Sequence, residues 1–149
     1  DMGVESFLLV STLRVAVGQR LIRRLTDDKE AYTLSASEKA ELGKRADLDR
    51  VLATMKDEGI VKKDATWNSI PFYRPKDADN EDSYKGRMGI HEVLPVSETI
   101  KDMVIKHATA DEVADIARQE GMLTMLEDGI YKAARGVTSI EEVLRVINE

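Results

Sequence analysis

The chain contains no cysteine, which excludes disulfide bonds and any metal site built on thiolates. It also lacks an apolar run approaching the roughly 20 residues that cross a bilayer. The most apolar stretch, Phe7 to Val17, is broken by Ser11, Thr12 and Arg14. At the amino end Asp1 and Glu5 stand where a secretory signal carries basic residues. Basic residues are in the minority overall: 22 Lys and Arg against 28 Asp and Glu leave a net charge of −6. Phosphate backbones are bound by clustered Lys and Arg, so no nucleic-acid partner is expected, and no membrane insertion. There is no Gly-x-x-x-x-Gly-Lys-Ser/Thr loop to cradle a nucleotide phosphate and no His-Glu-x-x-His pair to hold zinc.

What is present suits one domain, or a small domain with an excursion from it: 42% of the 149 residues are apolar. The opening on Asp1 rather than Met is that expected of a trimmed product or an excised piece. Residues 4–18 read as a helix whose apolar side is Phe7, Leu8, Val10, Leu13 and Val17, interrupted by Gly18. QRLIRRL, residues 19–25, reads as a strand. From Thr26 to Ser83 the chain turns polar and charged, and holds the only tryptophan and two of the three prolines. There Ser35 and Glu38 make a capping box for a short helix ending near Gly43. Asp47 caps a second helix carrying Leu48, Val51, Leu52 and Met55, with Gly59 as its stop. ATWNSIPFYRP reads as extended and KDADNED as an acidic loop.

SYKGRMGIHEVLPV, residues 83–96, reads as a turn at Tyr84, Lys85 and Gly86 followed by a strand. Gly86 is expected at positive φ, and Gly89 where two strands approach closely. Four helices follow. Ser97 starts the first; Thr109 and Glu112 box the second, which Gly121 stops. The third carries Met122, Leu126, Ile130 and Ala133 up to Gly136, and Thr138 with Glu141 boxes the last.

Few residues suggest chemistry. His91 and His107 read as solvated or capping residues, His107 suiting the negative end of a helix. Residues 77–88 place Asp77, Asp79 and Glu81 like a calcium loop, but Asp82 stands where that loop needs Gly and Met88 where it needs Glu. Arg20, Arg23 and Arg24 form one dense basic cluster, expected to pair with the acidic loop or with Asp27 and Asp28.

Three stretches, in order, resemble blocks of the type II secretion and type IV pilus assembly ATPases. They are DMGVESFLLVSTLRVAVGQRLIRRL, SYKGRMGIHEVLPV and ARQEGMLTMLEDGIYKAARGVTSIEEVLRV. The family's wording is close to Met-Gly-Val-Glu-Pro-Phe and Gln-Arg-Leu-x-Arg, then Gly-Tyr-x-Gly-Arg-x-Gly-Ile-x-Glu. It ends on Gly-Met-x-Thr-Leu-x-x-Asp-Gly and Gly-x-Thr-x-x-Glu-Glu-Val-x-Arg-Val. The resemblance covers both ends of the chain.

It implies the C-terminal region of a hexameric cytoplasmic motor, peripheral at the inner membrane through its partners. Those partners are an inner-membrane platform protein and neighbouring ATPase subunits. ATP and Mg belong to the parent; this chain has no cofactor and is not itself an enzyme. In the family the middle segment is a zinc-binding insertion held by two Cys-x-x-Cys pairs, an insertion type associated with pilus extension or secretion rather than retraction. The first pair falls here on Thr26 and Lys29, the second on Lys76 and Asp79, so the insertion is expected without metal. Its substitute is expected to be a small core of Leu48, Val51, Leu52 and Met55 against Trp67, Phe72 and Tyr73, with Lys29 paired to Asp79 across the neck. Arg20 and Arg23 would face nucleotide or a neighbouring subunit, and Gly86, Arg87 and Gly89 would shape the turn.

The expected fold is therefore mainly α (α+β). A C-terminal helical bundle carries an antiparallel strand pair, about 19–25 with 87–94, and a metal-free helical insertion. The corresponding divisions are 1–25, 26–83 and 84–149. Pilus extension is the expected parent function. The alternatives are a free-standing helical interaction or regulatory module and a DNA-binding bundle, the latter opposed by the acidic charge.

Overall fold

An antiparallel ribbon of two long strands, β1 (Val15–Leu25) and β4 (Tyr84–Pro95), organises the fold. The computed structural model describes residues 6–77 and 80–149. The remaining elements are α1 (Ser6–Thr12), β2 (Lys29–Tyr32), α2 (Ala36–Gly43), α3 (Leu48–Asp57), β3 (Phe72–Pro75), a single 3-10 turn (Glu81–Ser83), α4 (Glu98–Ile105), α5 (Ala110–Gln119), α6 (Met125–Ala134) and α7 (Ile140–Asn148). The class is α+β.

The expected helix over 4–18 is corrected. Among the described residues α1 stops at Thr12, and Val15 to Gly18 belong to β1. Val15 and Val17 suit a strand, where β-branched side chains lose less freedom than in a helix, and they pair with Pro95 and Val93. Gly18 interrupts nothing: it is a strand position opposite Glu92, and a Cβ there would lie 3.3 Å from the Met125 methyl. The ribbon is thus longer than expected at both ends. Tyr84, Lys85 and Gly86 belong to it too, because the register slips between Arg23 and Leu25 and leaves a bulge. Gly86 has the positive φ expected, 77°, at that bulge rather than in a free turn.

Every second residue of the ribbon faces inward. Ile22 and Ile90 are fully buried there against Val146 of α7. Side chains of α6 and of the turn before α7 also close part of each ribbon edge. Thr138 Oγ1 donates to the Arg23 carbonyl (2.9 Å) on the β1 side. On the β4 side the His91 N–H donates to Asp128 (2.7 Å) and Lys132 donates to the Gly89 carbonyl (2.8 Å).

The helices of the inserted segment begin as their caps dictate: Ser35 and Glu38 bond each other's backbones, and Asp47 accepts from Arg50 N. Four helices end alike, at Gly59, His107, Gly121 and Gly136, all at positive φ. Each closes with paired N–H donors to the preceding turn, as in Ala108 to Met103 and His107 to Val104. His107 is therefore a helix C-cap. The last helix starts one residue later than its sequence suggests. Thr138 is committed to Arg23, so Ser139 caps α7 and accepts from Glu142 N (3.1 Å).

Most of the expected core of the insertion is present. Val51, Met55, Trp67 and Phe72 pack together, with the Trp67 and Phe72 rings stacked at 5.8 Å and Leu48 and Leu52 partly buried against them, while Tyr73 lies instead beside Gly136 and Lys29. It is not self-contained, because the same cluster continues into Leu126, Ile130, Ala133, Ile140 and Val143 of α6 and α7. Of the segment read as extended, only β3 is a strand. Thr66 to Ser69 form a turn that lets the Trp67 indole donate to the Leu48 carbonyl (3.2 Å). Strand β3 pairs with β2 in a second ribbon that the sequence reading missed. The four C-terminal helices, expected as one bundle, pack over two clusters. Helices α4 and α5 enclose Ile100, Ala117 and Met122, while α6 and α7 share the large core.

Helices α6 and α7 meet at Gly129, where a Cβ would fall 2.4 Å from Val143 Cγ1. Val143 is fully buried and cannot retreat. Gly129→Ala is expected to destabilise the fold by about 2 kcal/mol or more, read as a lowered urea midpoint.

Candidate functional site

The two arginines singled out from sequence both reach α7 from β1. Arg20 donates to the Val146 carbonyl. Arg23 reaches Glu142, donating from Nη2 (2.7 Å) and Nε (3.0 Å), while its backbone N–H donates to the other carboxylate oxygen (3.0 Å). Arg145, one turn along α7, adds two bonds of 2.9 Å to the same carboxylate. The Arg23 guanidinium also lies 4.4 Å from the centre of the Tyr84 ring. The Tyr84 hydroxyl shares a 2.8 Å hydrogen bond with Ser139, the residue that caps α7. For Arg23 a salt bridge is present, and among the described residues its partner is Glu142 rather than Asp27 or Asp28. Asp28 instead pairs with Lys76 (2.7 Å).

The Glu142 side chain is completely buried while both arginines are about half exposed. Burial alone would push its carboxyl up. The hydrogen bonds from Arg145 and Arg23 override that and hold it at about 2, against an ordinary 4.5. A cleft of about 290 Å³ opens beside this joint, lined by Arg23, Arg74, Tyr84, Glu141, Glu142 and Arg145. Its three guanidiniums are answered from within, since Arg74 pairs with Glu30 (2.7 Å). The joint is a clamp between β1, β4 and α7 and leaves no cation unsatisfied for an incoming anion.

At the neck of the insertion, Thr26 Oγ1 donates to the Ser83 carbonyl (3.2 Å) and Lys29 Nζ to the Gly136 carbonyl (2.7 Å). Asp79 lies outside the described residues, and with it the expected Lys29–Asp79 pair. A hydroxyl and two ammonium groups do not fit zinc, which takes thiolate, imidazole or carboxylate. Among the described residues no group of three or more His, Asp or Glu is placed to hold a metal ion.

Arg87 is exposed and directly opposite Arg23 across the ribbon. Like charges so placed repel, and Glu142 draws Arg23 away. At Gly89 a Cβ would fall 2.6 Å from Nε2 of the His91 ring and 3.3 Å from Cδ of Gln19 on the facing strand. That ring bonds Gln19 (3.1 Å) and sits beside Asp128 and Lys132.

Sequence reading missed Glu142, Ser139 and Tyr84 because their partners lie far along the chain. It also missed Glu127, a buried carboxylate that accepts from Thr124 N and Asp47 N, both at 2.8 Å, and so joins the starts of α6 and α3. The available signal was the Ser-x-x-Glu and Thr-x-x-Glu spacing of Ser139 with Glu142 and of Thr124 with Glu127.

A carboxylate held below its ordinary pKa stabilises the fold above that ordinary value, and the gain is lost as pH falls through the folded value. Glu142→Gln is expected to lower stability at neutral pH by about 2 kcal/mol. The gap to wild type should close as pH falls from about 4.5 to about 2. Urea unfolding of both proteins across that window checks it; a constant gap would remove the ion pair as its cause.

Comparison with known proteins places the chain. A family model described as "Type II/IV secretion system protein" matches residues 1–145. The type II secretion system protein E of Xanthomonas campestris is 38% identical over the whole chain, which covers 24% of that protein. The type IV pilus assembly ATPase PilB of Thermus thermophilus is 32% identical over 97% of the chain, covering 14% of its own length. The type II secretion system ATPase E of Vibrio cholerae is 32% identical over the whole chain and is covered for 26%. The chain thus spans about a quarter or less of these relatives, and it belongs to the type II/IV secretion system protein family.

Proposed function

We propose that this chain is the C-terminal region of a cytoplasmic motor ATPase that powers type IV pilus extension. Its part is to contact neighbouring subunits and the inner-membrane platform protein, not to handle nucleotide. The observation that carries this reading is the asymmetry of the ribbon. Its inner face is packed by α6 and α7, while the outer face and the adjoining α1 are left apolar and open. Phe7 is 61% and Val17 56% exposed, with Leu8, Leu9, Val15, Leu21 and Val93 also exposed. A surface of that kind marks a body that packs against a larger one. The relatives, about four times longer, supply such a body. Among the described residues no helix is long and apolar enough to cross a membrane, which agrees with attachment through partners. ATP and Mg would be held by the parent's remaining parts, since the phosphate-loop pattern is missing from this sequence.

Secretion is the second reading, favoured by the 38% identity to a type II secretion protein. Loss of surface pili on deleting the gene in its source would support extension, and loss of exported proteins with pili intact would support secretion. The purified chain is expected to show no Mg-dependent ATP turnover; measurable turnover would defeat the division of labour proposed here. An antibody to the chain should detect a polypeptide several times larger than 16.7 kDa in source cells. A band at 16.7 kDa would instead indicate a free-standing module.

A further inference from the structure

The β4 edge is closed by side chains only as far as His91. Odd-numbered residues of β4 direct their N–H and C=O away from β1, as the Asp128 bond to His91 N and the Lys132 bond to Gly89 O show. Val93 is the next such residue. The register runs unbroken from Arg87 to Pro95, so the His91 carbonyl and both backbone groups of Val93 face outward. At the far end Pro95 has no N–H, and Val96 N already donates to the Arg14 carbonyl (2.9 Å). Among the described residues, three adjacent strand groups are therefore left for a partner.

They open into a groove of about 570 Å³, the space between β4 residues 91–95 and the turn joining α5 to α6. Its walls are mainly apolar, with Val93, Pro95, Met122 and Leu123 among them. At its rim Glu120 accepts from the Ser97 hydroxyl (3.0 Å) and has no cation within ion-pair distance among the described residues. Asp128, by contrast, is already answered by Lys132.

We infer that this groove receives an extended peptide segment of a partner protein, added as a third strand along the β4 edge at Val93. Only an extended backbone offers donors and acceptors at the spacing of a strand edge. Apolar side chains at alternate positions would meet the groove walls, and a lysine or arginine would reach Glu120. The site holds about five residues, roughly 17 Å of strand. It rests on the motor reading to one extent: the parent's larger body must leave the β4 edge at Val93 open.

The test is amide NMR on the labelled chain with N-acetyl-Lys-Val-Thr-Val-Ser amide as probe. Peptide at millimolar concentration should shift the Val93 amide and slow its hydrogen exchange by about tenfold or more. Val93→Pro removes the one outward donor and breaks no bond to β1; it should abolish the shifts at the groove while leaving the ribbon's other amides in place. Glu120→Lys, on an exposed side chain, should weaken binding severalfold, as should replacing the peptide lysine by glutamate. An unmoved Val93 amide at millimolar peptide overturns the proposal. So does full-strength binding by Val93→Pro, or binding that follows salt but leaves Val93 exchange unchanged. If Val93→Pro fails to fold, the exchange rate of Val93 in the wild-type chain and the Glu120→Lys titration decide the matter.

Discussion

One buried carboxylate, Glu142, joins the two ends of the chain. Arg23 near the start and Arg145 near the end both bond it, and the backbone of Arg23 adds a further donor. Its complete burial means that every oxygen lone pair must be answered by protein, and Arg23 and Arg145 together do so. Such an arrangement adds little net energy over an apolar contact but tolerates few alternatives. It sets where α7 lies on β1, and so places Ser139 for Tyr84 and the apolar face of α7 over Ile22 and Ile90. Glu127 acts similarly one layer away, tying α6 to the start of α3.

Much of the helical part was legible because helix ends are decided locally. Ser35, Asp47, Ser97 and Thr109 each bond a backbone N–H within one turn, and nothing distant competes for them. Where a distant group does compete, reading failed: Thr138 and Ser139 are chemically alike, and only the Arg23 carbonyl decides which of them caps α7. The boundary between α1 and β1 was lost for a related reason. Val15 and Val17 fit either period, and their strand partners Pro95 and Val93 lie far along the sequence. The second ribbon is four residues a side, too short to carry a period of its own. Glu127 and Glu142 look from the sequence like members of a solvated helix face, and only the packed structure buries them.

The ribbon has two different surfaces, and family membership gives the difference meaning. Its inner side is finished, with isoleucines under α7 and side chains from α6 and the turn before α7 on the edges. Its outer side is unfinished, with valines and leucines in solvent. Between β1 and β4 the same economy holds: Thr26, Lys29 and Lys76 are each satisfied by a carbonyl or a carboxylate nearby. The cysteine-free insertion rests instead on apolar contacts that reach into α6 and α7.

That shared core constrains how the molecule is made. Leu42, Val51, Met55 and Phe72 are covered by Ile130, Ala133 and Val143, which leave the ribosome well after them. Until they do, the middle third of the chain has helix caps but nothing to bury its apolar sides against, and short helices alone are marginal in water. The segment cannot fold as it is synthesised. It must wait, exposed, for α6 and α7 to emerge and close over it, and a chain stopped short of α7 would leave its apolar sides uncovered.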